Sequence, residues 1–239
     1  SLPVGGAREI LRWAAARYRD SLAIVDDYMA RETARHAEHV QCRRGCAECC
    51  FGTFAFSLAD MALVQAAFGS LDEEIREHCV RRATAFVENL GDVATRRVDV
   101  LDESELDRLL EPAAVLPCPF LSPEHDCRIY QSRPLVCRIH GLPIKGDGNE
   151  LLDPGCRLNF VGMRVEELSG YQLDIAEFDI AEEIEIAGIA EVLGVDEETQ
   201  ILLPAAILPP WFLPHEELGR ETGRARHVEP SRKPEPHPG

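Results

Sequence analysis

Apolar residues recur at steps of three and four from near the start of the chain. Leu11, Ala14, Tyr18, Leu22, Val25, Met29 and His36 share one side of a helix, with Arg, Asp and Glu filling the other, so residues 7–39 are expected to form one long amphipathic helix. Phe51 to Phe56 alternates weakly, as a short extended segment would. Ser57-Leu58-Ala59-Asp60 and Ser70-Leu71-Asp72-Glu73 each have the form of a capping box, predicting helices to about Phe68 and about Leu90. On the second of these Ile75, Cys79, Ala83, Phe86 and Leu90 make one stripe, which puts Cys79 in the core, where a free cysteine packs as a small hydrophobe. A short helix over 103–110 is stopped by Pro112.

The periodicity then fails. Leu116 to Cys156 is rich in Pro, Gly and Cys and reads as loops with a hairpin around Gly146-Asp147-Gly148-Asn149. Leu173, Ala176, Ile180, Ile184 and Ala187 restore a helical period, predicting an acidic helix from about Gly170 to Leu193. Pro209 to Pro214 combines stiff backbone with Trp211 and Phe212 and is expected to strap across the core. Residues 219–239 are polar and proline-rich, a composition that predicts a disordered tail. The fold class is therefore mainly α, or α+β with a small hairpin, with helices around an irregular cysteine-rich region. Residues 1–218 are expected to form one domain.

Charge narrows the partners. The net charge is -17, and from Val165 to Leu203 there are carboxylates but no Lys or Arg. Such a surface repels phosphate backbones and anionic lipid, so neither nucleic acid nor membrane is expected, while the acidic helix offers a docking face for a basic protein. No apolar run reaches the ~18 residues of a spanning helix. Nine cysteines, an odd number in a chain long enough to bury its own core, speak against a disulfide framework, and a reduced, cytoplasmic setting is expected.

The chemistry gathers on the thiols. Cys42, Cys46, Cys49 and Cys50 fall in a C-x3-C-x2-C-C run; with Cys118, Cys127, Cys137 and Cys156 they make eight once Cys79 is set aside. On a helical turn the first three would share a side and Cys50 would point about 100° away. Tetrahedral zinc and cubane iron-sulfur clusters each take four thiolates, so eight fit two centres, or one centre with spare redox-active thiols. The triplet spacing also occurs in radical-SAM enzymes, and Cys118-Pro119 is similar to the Cys-Pro of bacterial ferredoxins. Arg43, Arg44, Arg128, Arg133, Arg138 and Arg157 lie within five residues of a thiol and are placed to offset thiolate charge, Arg133 and Arg138 as the leading cluster-binding pair. His36, His39, His125 and His140 are secondary ligand or base candidates; the first two equally suit the negative end of the long helix.

Cys46-x2-Cys49-Cys50, Cys118-Pro119-Phe120-Leu121 and Cys127-Arg128-Ile129-Tyr130-x2-Arg133-Pro134-x2-Cys137-Arg138 together resemble the YkgJ-type cysteine-cluster family, the zinc- or iron-chelating CxxCxxCC domain. The resemblance covers roughly residues 40–160. Cys42 stands four residues before Cys46 where the family pattern has three. The resemblance implies metal binding; taken with the thiol count, the leading expectation is a cytoplasmic metalloprotein whose eight cysteines bind an iron-sulfur cluster, of 4Fe-4S type, or zinc, in a structural, chelating or electron-transfer role. Flagellin lysine N-methylases carry a similar cluster, which implies a protein-modifying methyltransferase as an alternative, although this chain shows no glycine loop for SAM. A thiol redox or metal-delivery protein using Cys49 and Cys50 is a third expectation, since vicinal disulfides are strained and labile.

Overall fold

A computed structural model describes residues 6–146, 150–174 and 183–211. In chain order the elements are α1 (Ala7–Arg35), β1 (Ala55–Phe56), α2 (Leu58–Gly69), α3 (Glu73–Leu90), α4 (Glu103–Leu110), α5 (Leu135–Ile139), β2 (Ile144–Lys145), β3 (Leu151–Asp153), β4 (Leu173–Asp174), α6 (Glu183–Leu193) and β5 (Ile201–Leu202), joined by short 3-10 turns. The fold is mainly helical with two small sheets, as the sequence predicts. No described helix is long and apolar enough to cross a membrane.

α1 forms because its apolar stripe has somewhere to go. Ala14, Ala15, Tyr18, Leu22, Val25 and Met29 are buried along it, and α2, α5 and α6 pack against it. It ends at Arg35 rather than 39, with His36 as its C-cap and residues 36–39 in a turn. α2 starts where predicted: Ser57 caps it, its hydroxyl accepting from the Asp60 N–H at 3.3 Å. The second predicted cap is different. Ser70 closes α2, donating to the Ala66 carbonyl at 3.0 Å, and α3 opens at Asp72 without a side-chain cap. Cys79, Ala83, Phe86 and Leu90 are buried on α3 as expected.

Three apolar clusters share these helices. One joins α1 and α2 to Phe120, Ile129 and the 203–208 segment; the second joins α1 to Ile139, Leu142, Phe160 and Leu173; the third seats Phe86 and Leu90 against Val93, Val98 and Leu202. β1 pairs antiparallel with β5, Ala55 opposite Leu202 and Phe56 opposite Ile201.

The acidic stretch departs from expectation. Leu173 and Asp174 are not helical but form β4, parallel to β2, with the Leu173 N–H donating to Pro143 O at 2.7 Å and Asp174 paired with Lys145 at 2.7 Å. An open strand edge next to β2 and a buried slot for Leu173 outweigh the local helical period. Helix is seen over Glu183–Leu193, residues 175–182 lying outside the described residues. Its inward side is also turned from the predicted one: Ile184 is 53% exposed, whereas Gly188, Ile189, Ala190 and even Glu185, 1% exposed and paired with Arg17 of α1, face inward. The predicted hairpin is present as β2 and β3, antiparallel, with residues 147–149 of its turn outside the described set. Trp211 of the expected strap is half-buried and donates from Nε1 to Thr95 O at 2.6 Å; residues 212–214 and the predicted tail lie outside the described residues.

Candidate metal centre

The 42–50 run is a loop, not the helical turn its spacing allows. Gly45 takes φ +84°, a left-handed value that favours glycine, and Cys46 N–H closes a tight turn onto Arg43 O at 3.0 Å. The run ends in a 3-10 turn over Glu48–Cys50. From there the chain lies antiparallel against residues 116–118. Gly52 N–H donates to Leu116 O at 2.8 Å and Cys118 N–H to Cys50 O at 2.7 Å, which sets Cys118 beside Cys50.

A small β-turn brings in the next thiol. Ser122 N–H donates to Asp126 O at 2.8 Å and Arg128 N–H to Phe120 O at 2.9 Å, so Cys127 folds back toward Cys118. Arg44 holds Asp126 through two bonds of 3.1 and 2.9 Å, tying this turn to the 42–50 loop. Cys137 is delivered by α5. Its first N–H, on Leu135, donates to the buried Asp60 carboxylate at 2.9 Å.

Cys156 is positioned by close backbone approach and one amide. A Cβ on Gly155 would stand 2.7 Å from Leu142 O, so only glycine lets this turn lie against 141–142. The buried Asn159 side chain then accepts from Gln41 N–H at 2.8 Å and donates to Gly141 O at 2.7 Å and to Cys42 Sγ at 3.6 Å. Its own N–H donates to Cys156 O at 2.8 Å.

All nine cysteines are free thiols. The thiols lie within electrostatic reach of one another: Cys156, Cys46 and Cys49 act on Cys42, Cys49, Cys118 and Cys127 on Cys50, Cys49 on Cys127, and Cys118, Cys127 and Cys49 on Cys137. They are neighbours rather than a closed coordination shell: among the described residues no three His, Cys, Asp or Glu side chains stand at metal-ligand spacing. The donor chemistry nonetheless suits a soft or borderline ion, since thiolates are the ligands that zinc and iron-sulfur clusters take.

Burial raises four of these thiols. It pushes Cys118 up to about 12, Cys137 well above the ordinary thiol range, and Cys127 and Cys42 upward, the last against the opposing Asn159 hydrogen bond. Cys79, in the core as predicted, is raised by burial to about 11. The vicinal pair splits. Cys49 is lowered to about 6 chiefly by the hydrogen bond it shares with Cys50, against burial's opposing effect, while the same bond and burial raise Cys50 and keep it protonated.

The predicted basic groups are mostly committed elsewhere. Arg133 and Arg138 both pair with Asp26 of α1, Arg133 at 2.9 Å, and Arg138 is buried with bonds to the Arg133 and Gln131 carbonyls at 3.0 and 2.9 Å. They anchor the Cys137 segment, although the charge of Arg133 still acts on Cys49 and Cys127. Arg157 pairs with Glu48. Arg43 reaches Gln41 O at 3.3 Å. Arg128 keeps a buried Nε without a hydrogen-bond partner among the described residues. His36 and His39 pack with Tyr171, and His39 with Phe160, and His125 is at the exposed tip of the 122–126 turn.

A cavity of about 420 Å³ opens on the thiols, lined among others by Cys49, Cys137, Cys156, His140, Phe51 and Phe54, with Glu48 and Arg157 also on its wall. Residues that spacing does not reveal complete the arrangement: Asp26, Asp60, Arg82, Gly155 and Asn159. Arg82 of α3 donates to Cys118 O at 3.2 Å.

Residues 41–157 match the sequence model of the CxxCxxCC family, whose description is "Putative zinc- or iron-chelating domain". No curated protein and no solved structure matches the chain.

Proposed function

We propose that this chain is a cysteine-thiolate metalloprotein that holds zinc or an iron-sulfur cluster through Cys42, Cys46, Cys49, Cys50, Cys118, Cys127, Cys137 and Cys156, in a structural, chelating or electron-transfer role. The observation that supports this reading is a set of free thiols on segments tied to one another by hydrogen bonds, with Cys49, Cys137 and Cys156 on the wall of one cavity. The match of residues 41–157 to a zinc- or iron-chelating domain supports it.

Each part of the chain then has a task. The buried thiols surrender protons to bind, Arg133 offsets the thiolate charge, and Asp26 fixes Arg133 and Arg138 so that Cys137 is presented in one position. Bound metal supplies Lewis acidity if it is zinc and one-electron chemistry if it is an iron-sulfur cluster. The half-open cavity leaves one side of the thiol group accessible to solvent or to a partner.

Anaerobic purification followed by elemental analysis, sulfide determination and a visible spectrum tests the proposal. Brown protein with inorganic sulfide identifies the cluster form, and colourless protein with stoichiometric zinc the zinc form. Protein that takes up neither metal, with all eight thiols reactive toward alkylating reagent, overturns it.

A further inference from the structure

We propose that the 156–159 turn is an N–H···S cradle for metal-bound sulfur, Asn159 donating from its side-chain amide to Cys42 and the Leu158 main chain to Cys156, which makes Asn159 a positioning residue for the metal. This rests on the thiolate-metal reading above and adds the residue that sets one of its ligands.

The Asn159 amide is oriented at both ends. Its Oδ1 accepts from Gln41 N–H at 2.8 Å, a group that can only donate, and its Nδ2 donates to Gly141 O at 2.7 Å, a group that can only accept. A flipped amide would set like against like at both contacts. Nδ2 carries two hydrogens; with one spent on Gly141, the other has Cys42 Sγ as its partner at 3.6 Å. Asn159 is buried, so the sulfur takes the place that water would hold at the surface.

The same turn serves a second thiol. Leu158 N–H donates to Cys156 Sγ at 3.5 Å, and Asn159 N–H closes the turn on Cys156 O at 2.8 Å. Cys42 and Cys156 come from opposite ends of the family-matched segment and meet N–H donors from adjoining residues. The backbone around them keeps room for these contacts. Gly141 has φ +123°, and a Cβ there would stand 3.3 Å from both Cys42 Sγ and Asn159 Nδ2. Glycine at 141 lets amide and sulfur meet over the main chain. Phe160 N–H, bonded to His39 O at 2.9 Å, holds the far end of the turn against the segment that leads into Cys42.

A donor of this kind gains little from a neutral thiol and more from a sulfur that carries charge, where the bond is charge-assisted. The adjoining cations are engaged elsewhere, Arg157 with Glu48 and Arg43 on Gln41 O. At Cys42 and Cys156 the groups set against the sulfur are neutral N–H donors, and such bonds govern how firmly a metal is retained and, in a cluster, its reduction potential.

Two measurements on the full chain test the assignment. With an NMR-active cadmium isotope bound, an Asn159 side-chain amide proton is expected to show a scalar coupling to cadmium through the hydrogen-bonded Cys42 sulfur, and the Leu158 amide proton another through Cys156; packing alone gives no such signal. Asn159→Leu, with its circular dichroism intact, is expected to bind zinc about 10- to 100-fold more weakly in a chelator competition. Cadmium-loaded protein in which either proton lacks the coupling overturns the cradle. A folded Asn159→Leu chain that binds zinc as tightly as the unchanged protein overturns the positioning role. An unchanged chain that takes up neither cadmium nor zinc instead overturns the metal reading beneath it.

Discussion

Asn159 ties two segments with one amide: Gln41 and the sulfur of the adjoining Cys42 on one, and Gly141 on the other. Asn159→Leu would leave the Gln41 N–H and Gly141 C=O without partners, at a cost of roughly 1–3 kcal/mol for each group orphaned. Denaturant unfolding of the metal-free protein measures that loss, and alkylation of Cys42 should quicken in the same variant. A second residue-scale effect concerns acid. Arg97 bonds Asp99 at 2.6 and 3.2 Å and Asp196 at 2.7 Å, and the Arg97 bond holds Asp99 below the usual carboxylate range. A lowered carboxylate contributes stability that is fully present above its unfolded pKa of about 3.9 and is lost as pH falls through its folded value. Asp99→Asn should therefore weaken the protein at neutral pH and flatten the fall in stability below about pH 4, which urea titrations at pH 3–7 would reveal. Neither Asn159 nor Asp99 is legible in the sequence, because a lone amide or carboxylate that ties loops together has the same letters around it as one facing water.

At the scale of elements, α1 and the 130–138 segment are joined by one carboxylate serving two guanidiniums. Asp26→Ala would strand the buried Arg138 charge; breaking a buried pair costs about 3–5 kcal/mol, and the lower end applies here since the Asp26 side chain is 34% exposed. Glu48→Gln, which breaks an exposed pair with Arg157, should change stability by less than about 0.5 kcal/mol. Chemical unfolding of the two variants side by side checks the contrast. α1, α2 and α3 could be anticipated because each has a clean apolar period, with the Ser57 cap marking the start of α2, and α4 could be anticipated from its stop near Pro112. Eight of the nine thiols stand out in the sequence as candidate ligands, because Cys79 falls on the apolar stripe of α3. What escaped was decided by contacts distant in sequence: Leu173 joins β2 because a strand edge is open there, and α6 turns Glu185 inward because Arg17 of α1 meets it. The 42–50 loop escaped for a local reason, Gly45 and the turn it permits displacing the helical geometry that C-x3-C-x2-C would allow.

For the molecule as a whole, metal and protons are linked. Cys118, Cys127 and Cys137 are kept protonated at neutral pH by burial, so binding must release those protons and apparent affinity should rise with pH. Calorimetry in buffers of different ionisation enthalpy would detect the released protons. Metal removal should also act unevenly. Hydrogen exchange after chelation is expected to quicken over residues 42–52 and 116–160, where the backbone is irregular, and to change little in the buried turns of α1, α2 and α3, which rest on apolar packing. That packing has a practical consequence for anyone wishing to excise the family-matched portion. Phe56 pairs with Ile201, the α2 side chains bury themselves against Leu203, Ala205 and Ile207, and Leu63 sits with Leu22 and Val25 of α1. A fragment cut at 41 and 157 would carry the sulfurs away from the walls that shelter them, so the unit to transplant includes both flanks.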